Sequence, residues 1–163
     1  MHKTSKEELE YWDKILDEYE NSIGIPNVHN PENSKELDEY LNMSRDVLEK
    51  LNPEDCFQIA YRLGQTAFHI QRVLNREIAR HNWAEDSVKL VVAEELNNYK
   101  GYGYVEKFYQ AVKYNDKAQT LHKIQKYAKQ RMDRLGYLSN SIKNLSDIII
   151  AIHRNKVRNA NQS

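Results

Sequence analysis

Residues 52–98 read NPEDCFQIAYRLGQTAFHIQRVLNREIARHNWAEDSVKLVVAEELNN, and the fold turns on this stretch. Asn52 suits a helix cap, Pro53 suits the first helical position, and Glu54 and Asp55 favour the positive end of the helix dipole. No proline follows anywhere in the chain, and Gly64 is the only glycine between Pro53 and Gly101. The spacing predicts one helix of about 45 residues, roughly 67 Å at 1.5 Å per residue. Such a length points to a coiled coil or a long bundle.

A seven-residue frame on that helix visits Cys56, Ala60, Leu63, Ala67, Ile70, Leu74, Glu77, His81, Ala84, Val88 and Val91. All but Glu77 and His81 are apolar or small, as a packing seam requires. Roughly the opposite side carries Arg62, His69, Arg72, Arg76 and Arg80, leading to Trp83. One side is for packing and the other is basic.

At 163 residues the chain can bury a core of its own, and 40% apolar with 29% charged residues excludes a disordered class. Five glycines and three prolines favour helix. The longest apolar run lies near Ile148–Ile152, too short for a membrane helix. The polar, acidic start is unlike a signal peptide. One cysteine, Cys56, allows no internal disulfide, so a reducing, cytoplasmic setting is expected.

Net charge is zero, but the charges are separated along the chain. Residues 1–55 hold 6 Lys and Arg against 15 Asp and Glu, whereas residues 99–163 hold 13 against 4. The basic half suggests nucleic acid or an acidic partner. Alternatively, the acidic and basic segments pair within the bundle or between subunits.

Working outward, Thr4 to Asn21 reads as a short helix, with Ser5 and Glu8 at capping-box spacing and Gly24 near its end. Residues 21–34 form a loop with Pro26 and Pro31, and Ser34 caps a second helix bearing Leu37, Leu41, Leu48 and Leu51. The N-terminal segment 1–52 is thus expected to be an acidic helical arm. It would dock on the long helix or on a neighbouring subunit.

Beyond the long helix come Tyr99, Lys100, Gly101, Tyr102, Gly103 and Tyr104, then Lys107, Phe108, Tyr109, Lys113 and Tyr114. Rings beside cations on a pliable connection suit single strands, since each stacked base contributes about 1–3 kcal/mol while lysines follow phosphates. The same tyrosines could instead cover the end of the core. Asn115 caps a second long helix whose frame visits Leu121, Ile124, Ala128, Arg131, Leu135, Leu138, Ile142, Leu145, Ile149 and Ile152, with Gly136 tolerated inside. Arg131 within this seam either sets register or meets an acid, since an unpaired buried charge is expensive.

The fold class expected is all-α: a long-helix antiparallel hairpin over 53–158, two short N-terminal helices and a disordered tail at 159–163. One hairpin leaves seam uncovered, so self-association as a homo-oligomer is expected. There is no phosphate-binding glycine loop, no metal-ligand spacing among six histidines, and no nucleophile with its base. The expectation is a protein that is not an enzyme, with no cofactor.

The order of elements resembles the UvsY-type recombination mediators of tailed phages. A long helix leads into Tyr99-Lys100-Gly101-Tyr102-Gly103, then Asp116-Lys117. The closing helix carries Leu138-Ser139-Asn140-Ser141-Ile142-Lys143-Asn144-Leu145 and runs on to Arg154. The resemblance covers roughly residues 57–158. It implies a ring-like homo-oligomer that binds single-stranded DNA and helps a RecA-like recombinase displace the single-strand binding protein. It also places self-association on the C-terminal helix, here Leu135, Leu138, Ile142, Leu145, Ile149 and Ile152. Where that family has basic DNA-contacting residues before the aromatic turn, this chain has Ala93, Glu94 and Glu95. DNA contact is therefore expected at Arg72, Arg76 and Arg80, or at Lys100, Lys107 and the tyrosines Tyr99, Tyr102 and Tyr104. The acidic arm would face the recombinase or shield the basic surface as a DNA mimic. From another class, the chain could be a scaffold that binds proteins through its coiled-coil seams.

Overall fold

The computed structural model describes residues 4–24, 34–99 and 103–160. These form seven α-helices and a 3-10 turn, with no strand among the described residues: α1 (Ser5–Ser22), α2 (Ser34–Leu41), α3 (Arg45–Lys50), α4 (Pro53–Val92), the 3-10 turn Glu95–Asn98, α5 (Tyr104–Tyr114), α6 (Asp116–Leu135) and α7 (Leu138–Ala160). No described helix is long and apolar enough to cross a membrane. Of the disordered tail expected at 159–163, Asn159 and Ala160 instead continue α7, and 161–163 lie outside the described residues.

Helix α4 starts as its sequence requires. The Asp55 amide donates to Asn52 Oδ1 at 2.8 Å, satisfying one of the orphan donors of the first turn. It runs unbroken for 40 residues and stops at Val92, short of the expected Asn98. The start of α1 is set one residue earlier than the spacing of Ser5 and Glu8 suggests. Thr4 is the cap, and Thr4 with Glu7 forms the capping box.

Three further expectations give way. The second helix divides into α2 and α3, because Ser44 accepts from the Val47 amide and starts a helix of its own. The tyrosine-rich connection contains the eleven-residue helix α5. The second long helix is interrupted at Gly136 and Tyr137 between α6 and α7. Glycine there costs a helix about 1 kcal/mol, and the break lets α7 start afresh.

The chain divides into two compact units, each built from two separated stretches. One comprises Met1–Asn27 and Asn75–Asp133; the other comprises Val28–Leu74 and Arg134–Ser163. Thus α1 and the α2–α3 pair, adjacent in sequence, belong to different units. Helix α4 contributes its C-terminal half to the first and its N-terminal half to the second.

In the second unit, Cys56, Ile59, Ala60, Leu63 and Ala67 of α4 pack with Leu48, Ile142 and Ile149. Each fully buried Leu or Ile stabilises by roughly 1.5–3 kcal/mol. Two buried hydroxyls fix the register of α7 on α4. Ser139 Oγ donates to the Ala67 carbonyl at 2.9 Å, and Ser146 Oγ donates to the Ala60 carbonyl at 2.8 Å. Rising numbers on α7 meet falling numbers on α4, so the helices run antiparallel. Lys156 Nζ donates to the carbonyls of Leu48 and Leu51, covering the end of α3 where helix carbonyls lack partners.

In the first unit, Val88 and Val92 of α4 pack with Ala111 and Val112 of α5 and with Ala118 and Leu121 of α6. Asn115 caps α6 as expected: the Ala118 amide donates to its Oδ1 at 3.0 Å, while its amide nitrogen donates to Glu95 Oε1 at 2.7 Å. The long α4 therefore packs antiparallel against α6 here and against α7 in the second unit.

Candidate nucleic-acid interface

Arg76 and Arg80 stand one helical turn apart on α4, and Asp17 and Asp13 stand one turn apart on α1. The two rows meet in opposite order: Arg76 Nη2 contacts Asp17 Oδ1, and Arg80 Nη2 contacts Asp13 Oδ2. Arg80 also reaches Glu77 Oε1 at 2.8 Å. Burial alone opposes the charged form of Arg80, but hydrogen bonds and attraction from Asp13 and Glu77 outweigh it and hold the guanidinium above its ordinary value.

The outer of these pairs is weak. The Arg76 and Asp17 side chains are 44% and 35% exposed, where an ion pair contributes about 0–1 kcal/mol. Those of Arg80 and Asp13 are 24% and 20% exposed, so water screens them less. Arg72, one turn before Arg76, is half-buried and is engaged by its surroundings. Two of the three arginines expected to contact DNA are thus covered by carboxylates of the same chain.

The residues of the aromatic turn are distributed differently. Tyr99 is half-buried against the Val88–Leu121 core and covers its end. Lys100 and Tyr102 lie outside the described residues. Tyr104 is exposed and Lys107 is half-buried, both on α5.

Helices α5 and α6 show a surface that residue-by-residue reading left out of the site. Leu121 and Ala128 turn inward on α6, and Lys123, Lys126 and Tyr127 lie on its outer side. On α5, Val105, Tyr109 and Lys113 follow one another at four-residue spacing and are all exposed. Tyr104, Tyr109, Tyr114 and Tyr127 are each more than half exposed. Lys113 Nζ lies 5.3 Å from the centroid of the Tyr114 ring, a cation–π distance. His122 of α6 packs edge-on against Phe108 and Tyr109 of α5, at 6.4 and 6.3 Å between centroids, so the two helices are joined by rings. Among the described residues, Lys113, Lys117, Lys123 and Lys126 have no ion-pair partner. The signal for Lys123, Lys126 and Tyr127 was helical spacing opposite Leu121 and Ala128, which a reading of the linear charge run does not use.

The residues expected to carry self-association serve largely inside the chain. Ile142 and Ile149 are fully buried against α4 of the same chain, and Leu145 and Ile152 pack on that core. Leu135 is half-buried, and Leu138 is 40% exposed. Exposed apolar surface exists elsewhere in the second unit, at Phe57, Tyr61 and Phe68 of α4 and at Ile148 of α7. Among the described residues, no group of three or more His, Cys, Asp or Glu side chains could hold a metal ion. No protein family, curated protein or solved structure matches this chain.

Proposed function

We propose that this is a non-catalytic helical accessory protein that binds single-stranded DNA, acting as a recombination mediator. It would help a RecA-like recombinase take the place of single-strand binding protein. The observation that supports this best is on α5 and α6, where exposed Tyr109 and Tyr127 accompany Lys113, Lys123 and Lys126, which have no carboxylate partner among the described residues. Unpaired bases offer flat faces that stack on such rings, and the lysines neutralise the phosphates between them. Duplex DNA keeps its bases stacked on one another, so this surface favours single strands. The resemblance in element order to UvsY-type mediators supplies the recombinase and the homo-oligomer in the proposal.

The test is fluorescence anisotropy of a labelled oligothymidine titrated with the protein across a salt series, with a duplex of equal length beside it. Tight, salt-sensitive binding that prefers the single strand is expected. Replacing Lys123 and Lys126 with Gln should lower the salt slope by about 1.4, at roughly 0.7 per single-strand phosphate. Binding that ignores both lysines and Tyr127 would remove this surface from the site.

A second reading, a scaffold that binds other proteins, is favoured by a different observation. Phe57, Tyr61 and Phe68 form an exposed aromatic row on α4, and a large exposed apolar row marks a protein contact more often than a nucleic-acid one. Light scattering of the wild type beside a Phe57→Ser, Phe68→Ser variant separates the two readings. A fall in mass with DNA binding intact would assign the row to protein contact.

A further inference from the structure

Helix α1 carries seven acidic residues against two lysines, and it lays two of them on the arginine row of α4. Asp13 and Asp17 are about 6 Å apart along the helix axis, at 1.5 Å per residue. Neighbouring phosphates along one strand stand at a comparable separation, because the sugar–phosphate repeat is longer than the rise of about 3.4 Å per nucleotide along the helix axis. The carboxylates therefore present negative charge to Arg80 and Arg76 at close to the spacing of neighbouring phosphates.

The seating of α1 is also unusual for a helix of 18 residues. Ser5 is its only buried residue. Trp12, Leu16 and Tyr19 remain about half exposed, whereas α4, α6 and α7 bury whole apolar seams. An element held by few apolar contacts and partly exposed ion pairs opens at low free energy. Its contact with α4 includes the charges that a nucleic-acid strand would compete for.

We infer that α1 is an internal substitute for a phosphate backbone, occupying a latent polyanion site at Arg76 and Arg80 that single-stranded nucleic acid opens by displacing the helix. The inference rests on the single-strand-binding reading above and adds a second stretch of site to it. The α5–α6 surface is open from the start and makes the first contact. A strand held there has a high effective concentration near the rest of the same unit, so it competes with α1 better than free strand does. Strands too short to extend beyond the tyrosines leave α1 in place.

The test compares the wild type with Asp13→Asn, Asp17→Asn in the full chain, using labelled oligothymidine across a salt series. The variant should bind several-fold more tightly, because the strand no longer displaces two carboxylates. Adding Arg76→Gln and Arg80→Gln to the variant should flatten its salt slope by about 1.4. Unchanged affinity in the Asn variant, with the wild type still binding, overturns the inference and leaves the α5–α6 reading standing. Binding by the Asn variant alone supports the inference and overturns α5–α6 as the open site. Binding by neither overturns both. Hydrogen exchange on the unaltered wild type gives an independent readout: saturating oligothymidine should accelerate exchange of the amides of residues 5–22. Exchange that stays the same or slows overturns the displacement.

Discussion

Glu77 Oε2 of α4 lies 2.7 Å from Arg131 Nη2 of α6. These residues are charged interruptions of two otherwise largely apolar seams, and they interrupt them at the same level. The contact is an ion pair off hydrogen-bond alignment, since Oε2 lacks a hydrogen-bond partner of acceptable angle. Glu77 is 5% exposed while Arg131 keeps about half its surface in water, so the arginine neutralises a buried carboxylate from the rim. Arg80 neutralises it from the other side.

The pair should show coupling. Arg131→Met is expected to cost about 1–2 kcal/mol in urea unfolding, because Glu77 keeps Arg80 as its partner. Glu77→Leu with Arg131→Met should cost less than the sum of the single changes, by about 1 kcal/mol. Strict additivity would mean that the contact does not stabilise the fold.

Ser139 and Ser146 offer a cleaner measurement. Each donates one buried hydrogen bond to a carbonyl of α4, and each Ser→Ala change should cost about 1 kcal/mol. Ser146→Val should cost more, since a branched side chain at a helix contact this close forces the helices apart. Denaturant midpoints for the three variants check the order.

Ile149→Glu, on the helix expected to carry self-association, should unfold the second unit. A charge at a fully buried site in the core of its own chain costs several kcal/mol, so helicity on circular dichroism should fall. Leu138→Glu is the informative change, because Leu138 is partly exposed. It should leave the helical signal intact, and light scattering then reports assembly alone.

Tyr40 supplies a pH prediction. Its hydroxyl donates to Glu36, and that bond, with burial and the charge of Glu36, pushes the phenol up to about 12. A pKa raised on folding stabilises fully below the unfolded value of about 10, and the contribution disappears as pH rises through about 12. Tyr40 should therefore ionise after free tyrosine on ultraviolet titration. Tyr40→Phe should remove that part of the alkaline loss of stability.

Much of the fold was legible because periodicity and caps are local. The α4 seam from Cys56 to Val88, the Asn52 and Asn115 caps and the inward side of α7 all follow from spacing. The split at Gly136 was harder to read, because an interior glycine only tips a balance that packing decides. The pairing of α1 with Arg76 and Arg80 joins residues about 60 apart in the chain. Charge separation showed that such pairing was available, but no local pattern says which carboxylate meets which arginine. The outer side of α6 was obscured for another reason: a run of lysines looks alike whether its members are paired or open.

The alternation of the chain between its two units sets an order for synthesis. Residues 28–74 emerge long before α7, which supplies Ile142 and Ile149 to their core. At about 5–20 residues per second, the first half of α4 waits several seconds on the ribosome with its apolar seam uncovered. The unit containing α5 and α6 has its partners earlier and can close first. The later unit is therefore the one whose nascent form should most need a chaperone, and truncation before Leu138 should yield a chain with one finished core and one exposed seam.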